Sequence, residues 1–154
     1  MKKILIIKHG SLGDITLAFS VFASIRAHYN KSTIFLLTEK KYFNLFKISP
    51  YVDYCIEDNR KEIFLLKLNR KIKLFSEKFD LIIDLQNSQR TSFYSLLFRI
   101  FQSSKICSSR PFAHFRYYIP NQGTETISAG LFNQLKLLGI NRISNEDYSW
   151  LETK

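Results

Sequence analysis

Short apolar runs alternate along the chain with longer stretches in which apolar residues recur at three- and four-residue steps. Ile4 to Ile7 is the first such run, and an uninterrupted aliphatic segment of that length reads as a strand buried on both faces. Ile15, Ala18, Phe19, Phe22, Ile25 and Tyr29 then predict an amphipathic helix from Gly13 to about Tyr29. Thr33 to Thr38 predicts a second buried strand, Glu39 to Ile48 a short helix halted before Pro50, and Val52 to Ile56 a third strand. Leu68, Ile72, Phe75 and Phe79 mark one face of a helix over Arg60 to Lys78, whose other faces carry Lys67, Arg70, Lys71 and Lys73. Asp80 to Asp84 predicts a fourth strand, followed by a helix with Phe93, Leu96, Leu97, Ile100 and Phe101 on one side. Lys105 to Ser108 and Tyr117 to Ile119 predict two further strands around the loop Ser109 to Phe115. A last helix runs from Glu125 to Leu138, ended by Gly139 as its C′ residue.

Strand and helix alternate throughout, which predicts an α/β, Rossmann-like, mainly parallel sheet with helices on both faces. In such a sheet the ligand crevice lies beyond the C-terminal strand ends. No repeat, linker or low-complexity stretch divides residues 1–140, and the polar segment 141–154, with its single tryptophan, reads as an exit segment.

Composition narrows this picture only modestly. The 154 residues, 45% hydrophobic and 15% aromatic, suffice for one domain with a substantial core and exclude a disordered chain. A formal charge of +10 favours acidic partners: nucleic acid, anionic lipid head groups or phosphorylated sugars. Cys55 and Cys107 each fall in a strand, and neither has metal-ligand spacing, so two buried thiols in a reducing compartment are expected and no metal is implied. The opening Met-Lys-Lys and Ile4 to Ile7 imitate a secretion signal but are interrupted by Lys8 and His9. No run of ~18 apolar residues exists to span a bilayer, so a cytoplasmic location is expected, with possible contact at a membrane surface.

The chemistry concentrates after the first strand, in Gly10-Ser11-Leu12-Gly13-Asp14. Gly10 permits a turn with positive φ, Gly13 leaves room for a ligand, and the first helical N–H groups carry partial positive charge. The pattern is neither the Gly-x-Gly-x-x-Gly fingerprint nor a P-loop. Asp14 would repel a phosphate at that helix end, so it either stabilises the helix start or does proton chemistry beside a hydroxyl. The topology brings Gln86 to Arg90, after the fourth strand, to the same sheet edge, with Arg60 and Arg110 if their loops lie on that side. Asp84 and Gln86 suit loop ordering as well as they suit substrate contact.

Four segments in order, Ile4-Leu-Ile-Ile-Lys-x-Gly-x-Leu-Gly-Asp-Ile, Leu37-Thr-Glu, Pro50-Tyr-Val-Asp and Phe79-Asp-Leu-Ile-Ile-Asp-Leu-Gln, resemble glycosyltransferase family 9. This is the family of ADP-heptose:lipopolysaccharide heptosyltransferases. The resemblance implies the N-terminal half of a GT-B fold, with a donor-binding C-terminal domain expected beyond residue 154 and the isolated chain inactive. It implies Asp14 as the general base of an inverting transfer, and Gly10, Ser11, Gly13, Arg60, Arg90 and Arg110 as acceptor-binding residues. It further implies a nucleotide-sugar co-substrate with no metal, and a lipopolysaccharide core or lipid A-Kdo-type acceptor. Peripheral contact with the cytoplasmic face of the inner membrane follows. One departure stands out: Ser20 occupies a position where the family often has proline, so a kink in the first helix is expected to be missing.

Two rival readings use the same residues. A noncatalytic dinucleotide-binding module would place Glu39 on a ribose, but lacks the glycine fingerprint. A basic adaptor for nucleic acid has the charge but no recognised motif, so no nucleic-acid partner is expected.

Overall fold

Lys3–Ile7 (β1) is the middle of a sheet, and Ile4 to Ile7 have no exposed surface because helices cover both faces. These relationships come from a computed structural model of the chain, described for residues 1–10, 12–58, 74, 76–120, 125–144 and 149–151. The other strands are Thr33–Thr38 (β2), Tyr54–Glu57 (β3), Leu81–Asp84 (β4), Lys105–Ser108 (β5) and Phe115–Arg116 (β6). Their order in the sheet is β3-β2-β1-β4-β5-β6, and every pairing is parallel. This is the doubly wound Rossmann-like arrangement, in which the chain reverses direction across the sheet between β1 and β4 and opens a crevice there.

The register makes that crevice specific. Ile7 pairs with Leu37 on one side and Asp84 on the other, so Lys8 and Leu85 leave the sheet together. Alternate β1 residues divide the core. Ile4 and Ile6 pack with Phe22, Phe46 and Leu135, while Leu5 and Ile7 pack with Leu74, Phe79, Tyr94 and Phe98. Each fully buried aliphatic side chain contributes on the order of 1.5–3 kcal/mol, which explains why the middle positions of β1, β2, β4 and β5 are apolar.

The helices whose two ends fall among the described residues are Leu12–Thr16 (α1), Phe19–His28 (α2), Phe43–Lys47 (α3), Gln89–Phe101 (α4) and Ile127–Lys136 (α5). The single helix expected over Gly13 to Tyr29 is two helices. Ala18 N–H donates to Ile15 O at 3.0 Å, a tightened i−3 bond, and Thr16 Oγ1 donates to Gly13 O at 2.9 Å, so the α-helical ladder breaks at Leu17 and Ala18. A break exists without the proline whose absence predicted a continuous helix. A 3₁₀ turn at Lys40–Tyr42 leads into α3 within the expected Glu39–Ile48 helix.

Ser88 caps α4 through a reciprocal box with Thr91. Thr126 caps α5, and Gly139 (φ 80°) closes it: Ile140 N–H donates to Leu135 O and Gly139 N–H to Lys136 O, the Schellman pattern expected of a C′ glycine. The sixth strand starts earlier than the Tyr117 to Ile119 expected. His114 N–H donates to Ile106 O and His114 Nδ1 accepts from Ile106 N–H, returning the chain to the sheet at Phe115. Tyr117 N–H still reaches Ser108 O, but its hydroxyl turns to Glu125 and the chain departs towards Pro120. The helix expected over Arg60 to Lys78 lies largely outside the described residues, of which Leu74 and Ser76 are helical.

After α5 the chain returns along α2. Ser144 N–H donates to Ser24 Oγ at 2.9 Å, and Trp150 rests edge-on against Phe19 and Tyr51.

Candidate active site

Asp14 stands in the first turn of α1 on the wall of a crevice of about 350 Å3 at the switch between β1 and β4. Its carboxylate folds back over Gly10, whose φ of 123° belongs to the region that favours glycine. Tyr42 completes the turn by donating its hydroxyl to Gly10 O at 2.5 Å.

Lys8, Gln86, Asn87, Tyr117, Glu125, Thr126 and Gln134 supply the remaining polar lining, and Leu85, Ile119 and Leu131 are part of an apolar wall. Lys8 is 6% exposed, and its ammonium lies 3.5 Å from Leu85 O. Burial pushes its pKa down, while the nearby Asp14 and Asp84 charges pull it back up. Glu125 accepts from Tyr117 Oη at 2.7 Å and from the Asn133 amide. The crevice thus holds a cation between carboxylates, beside hydroxyl and amide groups suited to a polyhydroxyl ligand.

The crevice floor is a hydrogen-bonded lattice. Asp84, with no exposed surface, accepts at Oδ1 from Gln86 N–H (3.0 Å) and Asn87 N–H (2.9 Å), and at Oδ2 from Ser108 Oγ (3.0 Å). Burial raises its pKa above the usual aspartate value, and these donors hold the rise back. Asn87 takes a left-handed conformation (φ 52°), which aims its Oδ1 at Ser109 N–H and its Nδ2 at Gln134 Oε1. Gln134, fully buried on α5, donates to Asp84 O at 2.8 Å and Cys107 O at 3.3 Å. Gln86 Oε1 accepts from His9 N–H at 2.9 Å, tying the β4 exit to the β1 exit. Asp84 and Gln86 therefore order the loop, and Gln86 also faces the crevice.

A second charged group lies behind the turn. Asp58, 2% exposed, receives Arg90 Nη2 at 2.8 Å on Oδ1, and Tyr94 Oη at 2.8 Å with Arg90 Nε at 3.3 Å on Oδ2. His9 Nε2 stands 3.1 Å from Oδ2, at ion-pair distance. Burial alone would raise the Asp58 pKa, but the contacts from His9, Arg90 and Tyr94 outweigh it and hold the carboxyl well below the usual range.

Of the residues singled out from sequence, Gly10 and Asp14 meet at the crevice turn. Gly13 is exposed on α1. Arg90 sits at the start of α4 with its guanidinium engaged by Asp58 and Tyr94. Arg110 follows β5 at the same end of the sheet, its Nε buried and without a hydrogen-bond partner among the described residues. Ser11 and Arg60 lie outside the described residues. Sequence reasoning passed over Asp58, Tyr94, Glu125 and Gln134. A signal existed for Asp58 alone: like Lys8 and Asp84, it is a charged residue at the C-terminal end of an apolar strand in a parallel sheet.

No protein-family model and no curated protein matches the chain. Among solved structures it is similar to a glycosyl transferase of family 9 from Veillonella parvula DSM 2008, with 25% identity and a TM-score of 0.73 over 94% of this chain and 43% of that one. It is similar in fold to E. coli heptosyltransferase WaaC with ADP-2-deoxy-2-fluoro heptose, at 17% identity and TM-score 0.67, covering 96% of this chain and 52% of that one. E. coli ADP-heptose lps heptosyltransferase II gives 16% identity and TM-score 0.64, covering 86% and 40%. The chain spans about half or less of each of these proteins. Its Rossmann-like α/β fold matches those of the family 9 glycosyl transferase and the E. coli heptosyltransferases, and family 9 is the family that the four sequence segments resemble.

Proposed function

We propose that this chain is the acceptor-side half of an inverting glycosyltransferase, transferring a heptose or related sugar from a nucleotide-diphosphate donor, ADP-heptose, to a lipopolysaccharide core acceptor. The observation that carries this reading is the placement of Asp14: a carboxylate held over a positive-φ glycine turn, lining the crevice at the topological switch point. The family of the fold neighbours supports a glycosyltransferase role, and the nucleotide-bound state of one of them supports a nucleotide-sugar donor.

In the reaction an acceptor hydroxyl enters the crevice to within ~3 Å of an Asp14 oxygen, which takes its proton as the acceptor oxygen attacks the anomeric carbon. The bond from that carbon to the nucleotide phosphate breaks as the new bond forms, and the electron pair leaves with the diphosphate. Lys8 is buried beside Asp14 with its ammonium coupled to that carboxylate, and positioning of the acceptor hydroxyl supplies much of the acceleration. Gln86, Asn87 and the Glu125–Tyr117 pair present hydrogen-bonding groups to neighbouring acceptor hydroxyls. The 154 residues correspond to about half or less of the neighbours' length, so this reading assigns donor binding to residues other than these.

The test combines the chain with ADP-heptose and a heptose-deficient lipopolysaccharide core, with and without a separately expressed donor-binding domain, and reads ADP release and acceptor binding. The expected result is acceptor binding by the chain alone and ADP release only with the added domain. Asp14→Asn should reduce release by about 10²–10⁴-fold while acceptor binding persists. Unchanged release in Asp14→Asn overturns the base assignment, and absence of acceptor binding overturns the reading.

A further inference from the structure

We propose that Glu125 makes the crevice selective for an acceptor ring without an acidic group, so that a sugar bearing a carboxylate or a phosphate is rejected beside Asp14. This deepens the acceptor-site reading of the crevice and rests on it.

The chain carries a formal charge of +10, yet the crevice does not share that sign. Among the described residues that form its rim and walls, Asp14 and Glu125 are the carboxylates and Lys8 is the single cation. Lys8 is buried with its ammonium 3.5 Å from Leu85 O, and the charges of Asp14 and of the buried Asp84 both act on it. Its charge is thus balanced from within the protein, and Glu125 stands as the excess. No ion pair among the described residues includes Glu125. Its partners are neutral: the Tyr117 hydroxyl at 2.7 Å and the Asn133 amide.

The placement of Glu125 is specific. It precedes Thr126, the cap of α5, and Thr126, Ile127 and Gly130 all line the crevice, so the N-terminal end of α5 faces it. A helix end of that kind attracts anions. Here the protein's own carboxylate lies there already, and Thr126 Oγ1 accepts from Ala129 N–H at 3.3 Å, so an incoming phosphate meets a like charge instead of open donors. Gly130 makes the room: a β-carbon there would lie 3.1 Å from Glu125 Oε2. It sits inside α5 without a positive φ, where glycine is unfavourable relative to alanine, and the space it leaves for Glu125 accounts for its presence. Asp14 against Gly10 and Glu125 against Gly130 are therefore two carboxylates seated in the same way. Like charges repel more strongly in a partly desolvated crevice than in water, whereas the hydroxyls of an uncharged ring can donate to both carboxylates.

NMR titration of the isotopically labelled chain, read at the backbone amides of Gln86 and Asn87, compares methyl mannoside, its phosphate monoester and its uronic acid at physiological salt. The expected result is that the uncharged glycoside binds about tenfold more tightly than either acid. Glu125→Gln removes the charge and keeps the shape. It should narrow the preference by about threefold or more by strengthening the acids, with methyl mannoside binding and melting temperature unchanged. A merely structural Glu125 would weaken all three sugars alike in that variant and leave the preference as it was, which overturns the inference. Equal or tighter binding of the acids by the natural chain also overturns it while leaving the acceptor-site reading standing. Binding of none of the three overturns the acceptor-site reading itself.

Discussion

A β-carbon at Gly10 would lie 2.8 Å from Asp14 Oδ2 and 3.2 Å from Asp14 Cβ. The glycine and the acid four residues later are thus one structural unit: the absence of a side chain at residue 10 lets the carboxylate fold over the turn and face the crevice. Gly10→Ala should cost on the order of 1–3 kcal/mol from its positive φ alone and force Asp14 to move. Combined with Asp14→Ala, which removes the carboxylate, it should cost less than the sum of the single variants, the difference being the clash. Urea unfolding of the four proteins measures this coupling, and strict additivity would refute it.

Asp58 is predicted to be a major stabilising group. Asp58→Ala strands Arg90, Tyr94 and His9 around an empty site, with an expected loss of about 3–5 kcal/mol. Tyr94→Phe removes only the hydroxyl shared between Asp58 and Arg90 and should cost about 1 kcal/mol. Equilibrium denaturation checks both values.

The two buried aspartates should act oppositely on pH dependence. The Asp58 pKa is depressed in the folded chain, so its contribution is complete above the unfolded value of ~3.9 and is lost as pH falls below it. The Asp84 pKa is raised by burial, so the folded state binds that proton more readily, and stability from this group rises as pH falls through its folded value. Unfolding free energies below pH 5 should therefore decline less steeply in Asp58→Asn and more steeply in Asp84→Asn than in the natural chain.

Gln134→Leu fills similar volume but leaves the carbonyls of Asp84 and Cys107, and the amide of Asn87, without their partner. A loss of roughly 2–3 kcal/mol is expected. Hydrogen exchange of the Gln86 and Asn87 amides, which Asp84 holds, should accelerate in the same variant.

The α/β alternation was legible because a buried parallel strand and an amphipathic helix leave different periodicities, and Thr33 to Thr38 even matches its strand end for end. Gly10 and Gly139 were legible because positive φ has few occupants. The helix break at Leu17 and Ala18 was hidden, since it depends on a 3₁₀ bond and a threonine hydroxyl rather than on a helix-breaking residue. Arg90 shows the same limit within the site. An arginine at a strand-end loop predicts an anion, but its nearest anion is Asp58, distant in sequence and placed by the β2–β3 pairing. Asn87 and Gln134 meet only through the packing of α5, so no local pattern announces them.

Trp150 is the sole tryptophan of the chain, and it leans on Phe19, the residue that opens α2 just beyond the break after the Asp14 turn. The molecule therefore carries an intrinsic optical reporter within one short helix of its crevice. Ligand entry that shifts α1 against α2 will register in indole emission without a label, giving a direct titration signal for a sugar that moves the turn.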